Sequence, residues 1–507
     1  TYWELVNIPT TGRLSANLNA YIGKEDVMLF AGGLPDSFKE AYPFRPLVIH
    51  AGTDGNLKQM QISRFTVDLP GAFALEGGGM ENLADSLTRT GTIGLKMTTQ
   101  NLNFLTALSG EAPNGTIVIP DSMNLVAKVD IKGPEYKADL RLKEGQGSMD
   151  VNAALNTSTE VYKADLKIDN LQLHNFLPKD SIYELSLSAA ANGRGLDVMS
   201  YHSFAKLNLS LDQLHYARYQ LSNVHLTGAL KGALVTANLT SDNALLKMTT
   251  DAEYNLAHRY PDGKVTVDVT QLDLHELGLM PQPMKRPLAF NLSAEARQNR
   301  VFTHLTSGDM KLNLSARSGV NPLISQSTHF MDVLMKQIDE KALNHAELRE
   351  ALPTAILSFS AGKENPLAYF LATKNISYHD VSMKFGTAPD WGINGKAAVH
   401  ALKMDTLQLD TIFFTVKQDT TLMKLRAGVI NGPKNPQFSF ATTLTGEIRD
   451  RDAELLVDYK NGKGETGVLL GVNARPLFEG HGKGNGIAFT LIPENPIVAF
   501  QRFHFNE

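Results

Sequence analysis

The chain has 507 residues, enough for a large core or an extended repeat array and too many for a mini-protein. Apolar residues make up 43% and charged ones 20%, the balance of a folded chain, which excludes wholesale disorder. With 48 Lys and Arg against 53 Asp and Glu the net charge is −5, which offers nucleic acid no broad basic field, and the absence of cysteine removes thiolate catalysis, cysteine metal sites and disulfides.

From Thr1 onward there is no charged start followed by an apolar stretch of signal-peptide length, so the sequence reads as a mature product or a fragment. No run approaches about 18 apolar residues, so no bilayer-spanning helix is expected within it. Met80 to Leu87 follows the Gly77-Gly78-Gly79 run with Leu83 and Leu87 on one face, which predicts a short helix. Beyond it the pattern is period two, the mark of a sheet with one apolar side. Tyr162, Ala164, Leu166 and Ile168 alternate with Lys163, Asp165 and Lys167, and Ala205, Leu207, Leu209 and Leu211 alternate with Lys206, Asn208 and Ser210. Asn192-Gly193 between these two runs is read as a turn. The longest clean run is Leu246 to Leu256, with Leu246, Met248 and Tyr254 on its apolar side. After a turn at Pro261-Asp262-Gly263, further strands are predicted at 265–269 and 312–316, with Val267, Leu312 and Leu314 facing the apolar side.

Between Asn321 and Pro353 the spacing becomes helical, with Phe330, Leu334 and Ile338 four apart and Asn344-His345-Ala346-Glu347 opening a second helix. Strands resume at 412–416, 423–429, 453–459 and 468–472, separated by Asn431-Gly432-Pro433 and Asn461-Gly462-Lys463-Gly464 turns; Phe414, Leu425, Leu455 and Val457 lie on their apolar side. The expected fold class is therefore mainly β, an elongated, curled and amphipathic sheet with a small helical insert. Its expected divisions are 1–110, 111–320, the insert 321–353, and 354–507. A weak internal repeat supports lengthwise growth: Lys163 to Leu173-His174 resembles Lys264 to Leu274-His275, with the two His marking matching strand ends.

Motifs for chemistry are weak. The 14 His are scattered, the closest pair, His215 and His225, standing ten apart, which does not give metal-ligand spacing. The Gly480-His-Gly482-Lys-Gly484-Asn-Gly486 segment lacks the Gly-Lys-Ser/Thr of a phosphate loop and reads as a hairpin loop before a strand at 487–489. Asp450, Asp452 and Glu454 read as a solvated strand face or turn, not an acid/base pair, and no G-x-S-x-G elbow occurs. Seven Asn-x-Ser/Thr matches arise from polar-Leu-polar alternation and carry little weight. No cofactor, metal or catalytic residue is assigned.

Several segments carry a family likeness: Gly55-Asn-Leu-Lys-Gln-Met-Gln-Ile62, Gly79 to Leu87, Leu407-Gln-Leu-Asp-Thr-Ile-Phe-Phe-Thr-Val416 and Met423-Lys-Leu-Arg-Ala-Gly-Val429. Together with the Leu-x-Leu strand ends, they resemble the TamB branch of the AsmA-like proteins of Gram-negative bacteria. That resemblance covers most of the chain except the helical insert. It implies a sheet curled into a trough that is apolar inside and polar outside. It also implies a periplasmic protein tethered to the inner membrane by a segment not present in this chain, which would then be a middle segment. The implied function is non-enzymatic phospholipid transport supporting outer-membrane biogenesis. The alternative is a translocation and assembly module that pairs sheet edges with strands of outer-membrane proteins, with a barrel assembly protein as partner. On the first reading the partners are lipid acyl chains, and the expected groove lining is Leu166, Ile168, Leu207, Leu209, Leu246, Met248, Tyr254, Val267, Leu312, Leu314, Phe414, Leu425, Leu455 and Val457.

Overall fold

The structure is a computed structural model that describes residues 14–30, 33–56, 59–82, 88–109, 117–280, 283, 286–340, 343–450, 452–477, 486–498 and 501–502. It is mainly β, with 61% of the chain in strands and 12% helical, as the alternating pattern predicts. Two compact units, Thr1–Thr249 and Thr250–Glu507, divide it, the boundary falling within the strand Leu246–Asn255.

In the first unit the strands run from Leu14–Ile22 to Leu234–Asp242, and each pairs antiparallel with its successor in the sequence. The short Tyr219–Leu221 is a side pairing of Phe204–Tyr216, which goes on to pair with Val224–Lys231. In the second unit the same meander runs from Gly263–Leu272 to Gln501–Arg502. Such a meander extends along its pairing direction by about 4.8 Å per strand, so each unit is long in that direction. Neither sheet closes on itself among the described residues: Leu14–Ile22 and Gln501–Arg502 each have a paired neighbour on one side only.

Tight turns keep the pairing local. Between Val224–Lys231 and Leu234–Asp242 the loop is Gly232-Ala233, at φ of 57° and 66°, the two left-handed positions that match the twist of a hairpin. Pro261-Asp262-Gly263, Asn431-Gly432-Pro433 and Asn461 to Gly464 join strands as expected, Gly263 being the first residue of one strand and Asn431 and Asn461 the last of two others. Asn192-Gly193 does not turn the chain. Both residues lie inside the strand Ile182–Arg194, opposite Lys163 and Tyr162, because the Tyr162 ring occupies the space over Gly193. Met80, Glu81 and Asn82, expected in a helix, end the strand Phe73–Asn82 and pair with Thr92, Gly91 and Thr90; the rest of that expected helix, 83–87, lies outside the described residues. The glycine-rich loop at 478–485 also lies outside them, and the strand expected after it is present as Gly486–Val498.

The helical insert is present as Val320–Asp339 and His345–Glu350. It buries Val333, Leu348 and Ala351 against Met423 at a strand end. Leu343 N–H donates to Asp450 O, and the Arg349 guanidinium donates to Pro389 O, so the insert lies along one end of the strands, against successive turns. A comparable cluster in the first unit joins Phe38, Tyr42, Leu102 and Phe104, from short helices, to Leu69 and Ala72 at a strand end. The tightly buried apolar clusters of both units therefore sit at strand ends rather than over the sheet.

Candidate functional site

Paired residues of an antiparallel ladder point to the same side of the sheet, so the register identifies each face. In the first unit Leu18, Ala51, Phe65, Gly77, Leu95, Ala127, Leu140, Val151, Leu166, Ala189, Leu209, Leu226 and Leu239 are partners in unbroken succession. A parallel row two residues along contains Met149, Ile168, Leu187 and Leu211, and another contains Ala153, Ala164, Ala191 and Leu207. One face is thus apolar from strand to strand, with no charged side chain in the first row.

In the second unit Leu314, Leu357, Phe385, Gly395, Val416, Leu425, Gly446, Leu455, Val472 and Leu491 form one such row. Val267, Leu292, Leu305, Leu312, Phe359, Met383, Ala397, Phe414, Ala427, Leu444 and Val457 form its neighbour. The sequence-predicted lining residues of this unit therefore fall into two adjacent rows, except Tyr254, which shares one side of the strand Leu246–Asn255 with Leu246 and Met248.

Most of these side chains are half-buried, packed by their neighbours in the sheet. Ile168 and Val416 are buried, but Leu18 keeps 54% of its surface exposed, Leu455 44% and Leu207 37%. A face covered by a second sheet would bury such residues almost fully.

The opposite face is polar. Arg141 and Asp150 are cross-strand partners joined at 2.6 Å, Lys167 pairs with Asp169 at 2.6 Å, and Arg64 reaches Glu76 at 2.9 Å. These exposed pairs contribute little stability each, but they keep that side wetted and assign the apolar side its direction.

Aromatic side chains on several strands lie over a glycine of the paired strand instead of standing upright. A Cβ on Gly77 would stand 2.7 Å from the Phe65 ring, and one on Gly428 2.7 Å from the Phe413 ring; Phe385 covers Gly395 still more closely. Phe385 also stacks against Phe414, ring centroids 6.3 Å apart. Such rings cover bare backbone, Phe65 and Phe385 on the apolar face and Phe413 on the polar one, and keep the apolar face low at Gly77 and Gly395. Sequence reasoning missed these pairs, since glycine and aromatic meet only once the register is known.

Of the titratable groups singled out from sequence, His174 and His275 sit in the turns after Val161–Gln172 and Gly263–Leu272, the matching strand ends the repeat predicts. Asp450 accepts from His345 N–H, Asp452 pairs with Arg449 at 3.2 Å, and Glu454 lies beside Glu447 on the polar face. Among the described residues no group of three His, Cys, Asp or Glu converges, and no helix is long and apolar enough to cross a membrane. Compared with protein-family models, curated proteins and solved structures, the chain matches none.

Proposed function

We propose that the apolar face of each unit is a groove for lipid acyl chains, and that the protein transports phospholipid without enzymatic chemistry. The observation that supports this is the set of unbroken, half-exposed apolar rows. Burying a CH₂ is worth about 0.8 kcal/mol, so drawing two chains of roughly 16 carbons into water costs on the order of 25 kcal/mol. That barrier alone allows only about 10⁻⁶ events per second. Rows of Leu, Val, Ile, Ala and Met remove most of it and form no directional trap, which suits a sliding ligand. The same reading, with the TamB-like resemblance, proposes a periplasmic protein that supports outer-membrane biogenesis.

The test is lipid extraction and mass spectrometry of protein purified without added detergent. Stoichiometric phospholipid is expected in the parent. Leu209→Asp and Leu314→Asp, one in each unit, should retain β structure by circular dichroism and lose about tenfold or more of the lipid. Equal lipid in the folded variants would sink the groove.

A second reading, assembly of outer-membrane proteins by strand addition, is favoured by one observation. The strand Leu14–Ile22 has a paired neighbour on one side only among the described residues, and its Leu18 and Tyr21 are exposed. If neither parent nor variant carries lipid, a photo-crosslinker at Asn17 should instead capture an extended barrel strand offered as a peptide.

A further inference from the structure

We infer that the polar face of the second unit holds a binding site for a phosphorylated ring compound, built on Lys384, Lys396, Lys417 and Trp391. Lys384 and Lys396 are direct cross-strand partners, as are Lys417 and Lys424. Like charges set opposite one another destabilise a sheet. Other like-charged partners are bridged by an opposite charge, Arg297 and Arg300 by Glu295, and Glu447, opposite Glu454, by Lys424 and Arg449. Lys424 is neutralised by Glu447 at 3.1 Å, whereas no carboxylate pairs with Lys384, Lys396 or Lys417 among the described residues. Three uncompensated cations thus stand on three successive strands, Asp380–Ala388, Gly392–Met404 and Leu407–Gln418.

They share a shallow concavity of about 420 Å³ with Ile356, Trp391 and Asn394. The indole of Trp391 is laid on Gly386, where a Cβ would stand 2.6 Å from Cη2, and Asn394 Nδ2 donates to Trp391 O at 2.9 Å. Backbone and hydrogen bond therefore fix a flat apolar platform that remains 41% exposed. Lysines bind phosphate as mobile point charges, and a fixed indole receives the apolar side of a ring. The combination selects a phosphorylated cyclic polyol or sugar, either free or as the headgroup of a membrane lipid. Gly395 and Val416 also border the concavity, but the lysines alternate along their strands with Phe385, Gly395 and Val416 and so project to the other side, and the charged patch can be removed without changing a residue of the acyl groove.

The test uses the full chain carrying Trp3→Phe, which leaves Trp391 as the only indole of the two in the sequence. Titration with inositol hexakisphosphate should change Trp391 fluorescence saturably, and myo-inositol should not. Lys384→Gln/Lys396→Gln/Lys417→Gln should weaken binding about tenfold or more. Lys128→Gln/Lys163→Gln/Lys167→Gln, which removes the same charge from ion-paired lysines of the first unit, should stay within about twofold. Phosphatidylcholine vesicles doped with phosphatidylinositol phosphate separate the two sources: co-sedimentation that the patch variant loses assigns a headgroup, and binding of the soluble probe alone assigns a free ligand. No saturable change with the hexakisphosphate, or an equal loss in the two triple variants, overturns the site.

Discussion

Gly395 contributes no side chain to the apolar face, and the Phe385 ring from the paired strand lies in its place. Gly395→Val must lift that ring off the backbone, so we expect destabilisation of about 1–3 kcal/mol in denaturant unfolding, together with lower lipid occupancy from a bulkier groove floor. At the opposite extreme of polarity, Asp262 is hydrogen-bonded to the Arg297 guanidinium at 2.6 Å and to His258 at 2.5 Å. The Arg297 bond chiefly holds its carboxyl below the usual range, against the upward push of burial. A depressed folded value means stabilisation that is complete above the unfolded value, about 4, and is lost as pH falls through the folded one. Asp262→Asn should therefore flatten the acid limb of hydrogen-exchange protection in Gly263–Leu272; an unchanged limb would show that this carboxylate does not couple to folding.

At the scale of elements, the insert depends on a few polar contacts. Asn344 Oδ1 accepts from Glu347 N–H and caps the helix His345–Glu350. His345 is buried, with Nε2 3.0 Å from Ile448 O and Nδ1 3.2 Å from Gln418 Nε2. A carbonyl accepts and an amide nitrogen donates, so this arrangement has the ring donating from Nε2 and accepting at Nδ1. Asn344→Ala should cost about 1 kcal/mol and raise amide exchange in 345–350. His345→Ala leaves both partners unpaired and should free the whole insert, read as faster exchange in Val320–Asp339; protection in that helix equal to the parent's would argue against the latch. The insert and the strands expected from Tyr162 onward were legible in the sequence because both carry long periodic runs, whereas the eight strands from Leu14–Ile22 to Gly147–Asn156 were not placed individually. The helices Lys24–Phe30, Asp36–Ala41, Asn103–Thr106 and Pro366–Ala372 were not, since each spans two turns or fewer and shows too little period to separate from a loop. Alternation likewise told which residues of one strand share a side, as for Leu207 and Leu209. It could not tell which residues of different strands meet, and so it hid both the ring-on-glycine pairs and the opposed Lys384 and Lys396.

On the scale of the whole molecule, each strand within a unit is held by its neighbours in the sequence, so stability is a chain of nearest-neighbour terms. Unfolding should then be gradual, with fluorescence of Trp391 and far-ultraviolet dichroism giving different denaturant midpoints. Coincident midpoints and one cooperative transition would contradict this. The meander has a consequence for the length of the apolar face as well. Because every strand reverses the last, a hairpin is the smallest piece that can be added or removed with all later strands keeping their direction, and two strands amount to about 10 Å. The sheet is in effect a ruler graduated in hairpins, on which distance can be reset by duplicating or deleting a graduation while the apolar side stays apolar throughout.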